Sequence, residues 1–177
     1  INSEITKLEN ELLCVPIYEE GDSKEIEIIN TELDGLISEL NDNGQVSSKL
    51  GSFANIYTLK KLKSKQIITY GLGKKSTLNY EKIRTVTGDL VRYINKMKIK
   101  DASIVIPGEG ISNLKFNDTA DAVSQGFLLG SYKYDKYKST KAINTLGELN
   151  LVNTSSNKFD HDFATVINES ESINLVR

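Results

Sequence analysis

Apolar residues along this chain fall in short blocks separated by polar, glycine-marked breaks, and the blocks switch between two periodicities. "LLCVPI" (Leu12–Ile17) is a near-continuous apolar run closed by Pro16 and the polar "EEGD", the signature of a buried strand. From Asn30 to Asn41 the spacing changes. Leu33, Leu36, Ile37 and Leu40 share one helical face, with Asn30 or Thr31 as the cap and "NDNG" as the stop. "FANIYTLKKL" (residues 53–62) is β-branched and aromatic, which predicts a strand running into the lysine-rich turn "KKLKSK".

"QIITYGL" (residues 66–72) predicts the next strand, and Asn79 the cap of a helix whose stripe is Ile83, Val86, Leu90, Ile94 and Met97. "ASIVIP" (residues 102–107) has the continuous apolar character of a strand covered on both faces. Asp118 or Thr119 opens another helix, with Val123, Phe127, Gly130 and Tyr134 on its face. Gly126 and Gly130 would let that helix approach a neighbour closely. "ELNLVN" (residues 148–153) predicts a last strand, and a final helix from Asp160 carries Phe163, Val166, Ile167 and Ile173. Strands alternating with amphipathic helices predict an α/β domain, three layers of helix, sheet and helix around a mixed, largely parallel sheet.

Composition narrows the function classes. The 177 residues suffice for one domain, and a net charge of −2 gives no global attraction to nucleic acid or anionic membrane. One cysteine, Cys14, cannot form an internal disulfide, and no apolar run approaches a membrane span. The start at Ile1 rather than Met predicts a trimmed beginning, and "INSEITKLENE" lacks the order of a secretion signal. The expected location is the cytoplasm.

The candidate chemistry is thin. Tyr70 to Ile94 reads as strand, glycine turn with two lysines, and helix, which invites a phosphate-loop interpretation. A Walker loop needs GxxxxGK[ST]; here Ile68 stands where the first glycine belongs and Lys75 replaces the hydroxyl. GxGxxG fails as well, because Leu78 and Asn79 follow without a third glycine. A structural turn with solvated lysines is favoured over anion binding at the helix start.

His161 in "DHD" lacks a second His or Cys to complete a zinc set, and Cys14 inside an apolar strand reads as inert packing. The lysines of residues 60–65 and of "YKYDKYK", interleaved with Tyr132, Tyr134 and Tyr137, read as solvated faces in preference to a nucleic-acid surface. Glu109 in "PGEG" follows a strand, but a tight turn explains it equally well. No acid, base, nucleophile or metal-ligand set assembles, so no catalytic, cofactor-binding or metal residue is assigned.

At "AVSQGFLLGSYKYDKYKS" the chain resembles the late helix in the N-terminal domain of the leucyl aminopeptidase (cytosol aminopeptidase) family. The matching positions are Gly126, Leu129, Tyr132, Tyr134, Asp135, Tyr137 and Lys138. Gly71, Leu72, Gly73 and Lys74 match the family's "GLGK" turn, and "INESESINLVR" resembles its linker helix.

The resemblance implies a macro-domain-like fold over residues 1–160 and the start of a linker helix over 161–177. It places the catalytic stretch and two divalent metals, zinc or manganese, in a C-terminal domain whose motifs do not occur here. It further implies removal of N-terminal residues from peptides by the parent protein, assembly into a homohexamer with this domain at the periphery, and inactivity of this fragment alone. The domain's expected partners are its own catalytic domain and neighbouring subunits, with no membrane and no nucleic acid. Two alternatives compete with this non-catalytic assembly or regulatory role: a module binding ADP-ribose or another nucleotide, and a DNA-binding domain.

Overall fold

The computed structural model describes residues 5–108, 111, 114–131, 146 and 148–154. Five strands form one sheet: β1 (Leu12–Ile17), β2 (Phe53–Tyr57), β3 (Gln66–Gly71), β4 (Asp101–Val105) and β5 (Glu148–Val152), in the order β2-β3-β1-β4-β5. β1 runs parallel to β3 and β4, and β4 parallel to β5; β2 alone is antiparallel, so the sheet is mixed and largely parallel.

Helices α1 (Lys24–Glu32) and α2 (Leu36–Asp42) cover one face, and α3 (Tyr80–Lys96) and α4 (Phe116–Ser131) the other. This is the three-layer α/β arrangement that the alternating pattern predicts. The pleat sorts β1 cleanly. Leu12 and Cys14 join Ile83, Val86, Leu90 and Ile94 of α3, while Leu13 and Val15 join Ile26 and Ile29 of α1. Covered on both sides, β1 is buried at every position, hence its uninterrupted apolar sequence.

Asn79 caps α3 as expected, its Oδ1 accepting from the Lys82 N–H at 2.9 Å. The glycines of α4 also act as expected. A Cβ on Gly126 would lie 2.5 Å from the Arg84 carbonyl oxygen, so α4 seats on the backbone of α3.

Three expectations are corrected. The helix expected over Asn30–Asn41 is two helices, broken where Asp34 (φ 56°) and Gly35 (φ 84°) turn left-handed. Asn30 lies within α1, yet it does cap: its Oδ1 accepts from the N–H groups of Ile37 (2.8 Å) and Ser38 (3.2 Å) at the start of α2. The true start is capped by Ser23, whose Oγ accepts from the Ile26 N–H. "EIEII" obscures α1 because its alternation imitates a strand.

The strand expected over 53–62 stops at Tyr57, because Thr58 to Lys61 form a tight turn closed by the Lys61 N–H on the Thr58 carbonyl. α4 begins at Phe116, ahead of the expected Asp118 or Thr119, and the Thr119 hydroxyl donates back to the Lys115 carbonyl at 3.0 Å. The final helix expected from Asp160 lies outside the described residues.

Candidate functional site

Open α/β sheets bind ligands beyond the carboxyl ends of their parallel strands, and the "GLGKKS" stretch stands there, at the end of β3. A phosphate cradle requires consecutive backbone N–H groups facing outward. Here they are engaged. The Gly71 N–H donates to the Ser52 carbonyl (2.8 Å), Leu72 to Ile17 (3.0 Å) and Gly73 to Ser48 (2.8 Å).

The glycines serve chain crossing. A Cβ on Gly71 would fall 2.1 Å from the Lys49 carbonyl oxygen, and Gly73 adopts a φ of +69°. Opposite them, Gly51 (φ +78°) donates to the Gly71 carbonyl while Ser52 accepts from the Gly71 N–H, a glycine bulge that starts β2.

The polar side chains beside this turn are also occupied. The Glu20 carboxylate accepts from the Ser76 N–H (3.4 Å) and hydroxyl (3.2 Å), taking a position where a bound anion would sit. Lys75 Nζ lies 4.8 Å from the Tyr18 ring centre, a cation–π contact, and Lys82 Nζ donates to the Thr77 carbonyl at 2.7 Å.

A neighbouring cleft of about 290 Å³, bordered by Tyr18, Glu19, Asp22, Ser38, Asn41 and Asp42, carries three carboxylates and no basic lining residue. Its field opposes a diphosphate.

The buried titratable groups are structural. The Tyr70 hydroxyl donates to the Val105 carbonyl at 2.6 Å, tying β3 to β4 across β1, and burial holds its phenol well above the ordinary range. Burial, with the nearby Glu25 carboxylate, does the same to Tyr18. Glu25 is buried in the first turn of α1 and accepts from the Thr154 hydroxyl just after β5. Nothing in the sequence pattern marks that pair, since its members are 129 positions apart. Burial pushes the Cys14 thiol up, which keeps it protonated and unreactive.

Three of the four lysines at residues 60–65 pair with acids from other segments. Lys61 pairs with Asp34, Lys63 with Glu9 at 3.1 Å and Lys65 with Glu11 at 3.5 Å, while Leu62 and Ser64 point inward. Such pairing removes the excess positive charge that a nucleic-acid surface needs. Among the described residues no cluster of three or more His, Cys, Asp or Glu side chains is placed to hold a metal ion. None of their helices is long and apolar enough to cross a membrane. His161, Glu109, Tyr132, Tyr134, Asp135, Tyr137 and Lys138 lie outside the described residues.

Comparisons with known proteins identify the family and the fold. Residues 14–141 match the model of the cytosol aminopeptidase family, N-terminal domain. A probable cytosol aminopeptidase of Clostridium perfringens is 32% identical over 133 residues, covering 75% of this chain and 26% of its own length. The chain thus spans about a quarter of that relative.

A mutant tomato leucine aminopeptidase superposes with a TM-score of 0.71 at 17% identity, over 95% of this chain and 34% of that one. An Oceanobacillus iheyensis macrodomain with MES bound superposes at 0.60 and 12% identity, over 97% and 88%. At these identities the two structures establish the fold alone, a macro-domain-like α/β sandwich. The family match covers most of the chain: it belongs to the cytosol aminopeptidase family, as that family's N-terminal domain.

Proposed function

We propose that this chain is the non-catalytic assembly and regulatory domain of a longer, dinuclear-metal aminopeptidase that removes N-terminal residues from peptides. The observation that carries this reading is the family match over residues 14–141 by a chain that spans about a quarter of its relative. Residues 1–160 would form the domain and 161–177 the start of a linker helix toward a C-terminal catalytic domain.

Two divalent ions, zinc or manganese, would be held by that second domain, where such a pair activates water and polarises the scissile carbonyl. The described residues offer no donor set that fits them. Partners would be the catalytic domain and the neighbouring subunits of a homohexamer, and the location the cytoplasm.

The ADP-ribose alternative is disfavoured by the engaged N–H groups of Gly71, Leu72 and Gly73 and by the acidic cleft beside them. The DNA alternative is disfavoured by the ion pairs of Lys61, Lys63 and Lys65. Metal analysis tests the proposal. The longer protein should retain about two divalent ions per subunit after dialysis, and the 177-residue chain none. Stoichiometric metal on the short chain would refute the assignment.

A further inference from the structure

β2 is an edge strand, at the end of the sheet order, with no strand on its outer side among the described residues. The Gly71 N–H on the Ser52 carbonyl and the Thr58 N–H on the Lys65 carbonyl bracket its ladder with β3. Antiparallel alternation then turns the N–H and C=O groups of Phe53, Asn55 and Tyr57 away from the sheet. Among the described residues nothing pairs with them.

The large apolar side chains most exposed among those residues gather at the ends of this strand: Leu50 (47%), Tyr57 (62%) and Leu59 (79%). Leu59 is moreover held left-handed at φ 51°, a conformation costing a non-glycine residue about 1–2 kcal/mol, with no burial to offset it.

We propose that β2 pairs antiparallel with β2 of a second copy of this chain, about a twofold axis at Asn55. That register sets Phe53 opposite Tyr57 twice and forms about six backbone hydrogen bonds from the outward groups. Phe53 is already fixed by stacking on Tyr93, with ring centres 5.5 Å apart.

At the axis the two Asn55 amides face each other. In the single chain Asn55 Nδ2 donates to Gln66 Oε1 at 2.9 Å and keeps one proton, while its buried Oδ1 has no partner. The second copy supplies the missing donor.

This pairing deepens the assembly part of the proposed function and rests on it. Sedimentation of the 177-residue chain from about 1 µM to 1 mM, with residue-resolved amide exchange at both ends of the range, tests it. The expected result is a monomer–dimer equilibrium in which the Phe53, Asn55 and Tyr57 amides gain protection as concentration rises. Those of Ala54 and Ile56 should be protected throughout. Tyr57→Pro removes an outward donor that an edge strand can spare, and should weaken the dimer by roughly tenfold or more at unchanged circular dichroism. Should that variant fail to fold, Tyr57→Lys with the exchange data on the unmodified chain decides the matter.

A monomer throughout, or a dimer leaving the three outward amides unprotected, overturns the pairing. A longer protein that is hexameric and active with those amides exchanging freely would refute the pairing alone, leaving the assembly reading intact.

Discussion

Gly130 of α4 rests directly on Gly88 of α3: a Cβ added to Gly130 would lie 2.5 Å from the Gly88 carbonyl oxygen and 2.8 Å from its Cα. The reverse substitution is milder, because a Cβ on Gly88 meets the Gly126 carbonyl oxygen at 3.4 Å. The contact is asymmetric although both residues are glycine. Gly130→Ala should therefore lower stability by about 1–3 kcal/mol through overpacking, whereas Gly88→Ala, which meets only ordinary contacts inside a helix, should leave it unchanged or raise it by up to about 1 kcal/mol. Urea denaturation of the two variants measures the difference.

Much of this architecture is legible in the residues, and the failures are instructive. β1 and α3 are plain because burial on two faces, or on one stripe, leaves a periodicity that nothing local disturbs. α1 is hidden because "EIEII" alternates as a strand would, and its helical state depends on Ser23 and on packing against β1. The break at Asp34 and Gly35 is hidden because the leucine spacing continues across it. At the site, motif spacing is enough to reject a phosphate loop, but the reason Gly71 must be glycine depends on Lys49, which arrives from a distant loop. The open edge of β2 is likewise a property of strand order, which no single segment encodes.

Lys98 follows α3 with a φ of 58°, where helices ordinarily place glycine. Lys98→Gly should raise stability by roughly 0.5–1 kcal/mol, relief of the left-handed side chain outweighing the entropy of the freer unfolded chain. A rise in melting temperature would bear this out; a fall would mean that the lysine makes a compensating contact.

Glu11 accepts from the Lys100 N–H at 2.9 Å and pairs with Lys65, and these interactions hold its carboxyl below the ordinary glutamate range. A lowered folded value means that its contribution is complete above the unfolded value, about pH 4.3, and is lost as pH falls through the folded one. Glu11→Gln should thus lower the melting temperature at neutral pH, and the gap from the parent should close in strong acid. A gap independent of pH would place the effect in packing.

Cys14 should resist thiol reagents in the folded chain and react stoichiometrically once denaturant is added, because burial both shields the thiol and keeps it protonated. Rapid labelling under native conditions would contradict the placement of Cys14 in the core beneath α3.

The decisive measurement is hydrolysis of leucine p-nitroanilide by the purified 177-residue chain, with manganese or zinc supplied. The proposed role, in which the domain furnishes surfaces and the metal-holding groups lie elsewhere, predicts no p-nitroaniline release above the metal-only blank. Turnover that scales with the chain's concentration and disappears on chelation would show that the reacting groups lie within it after all.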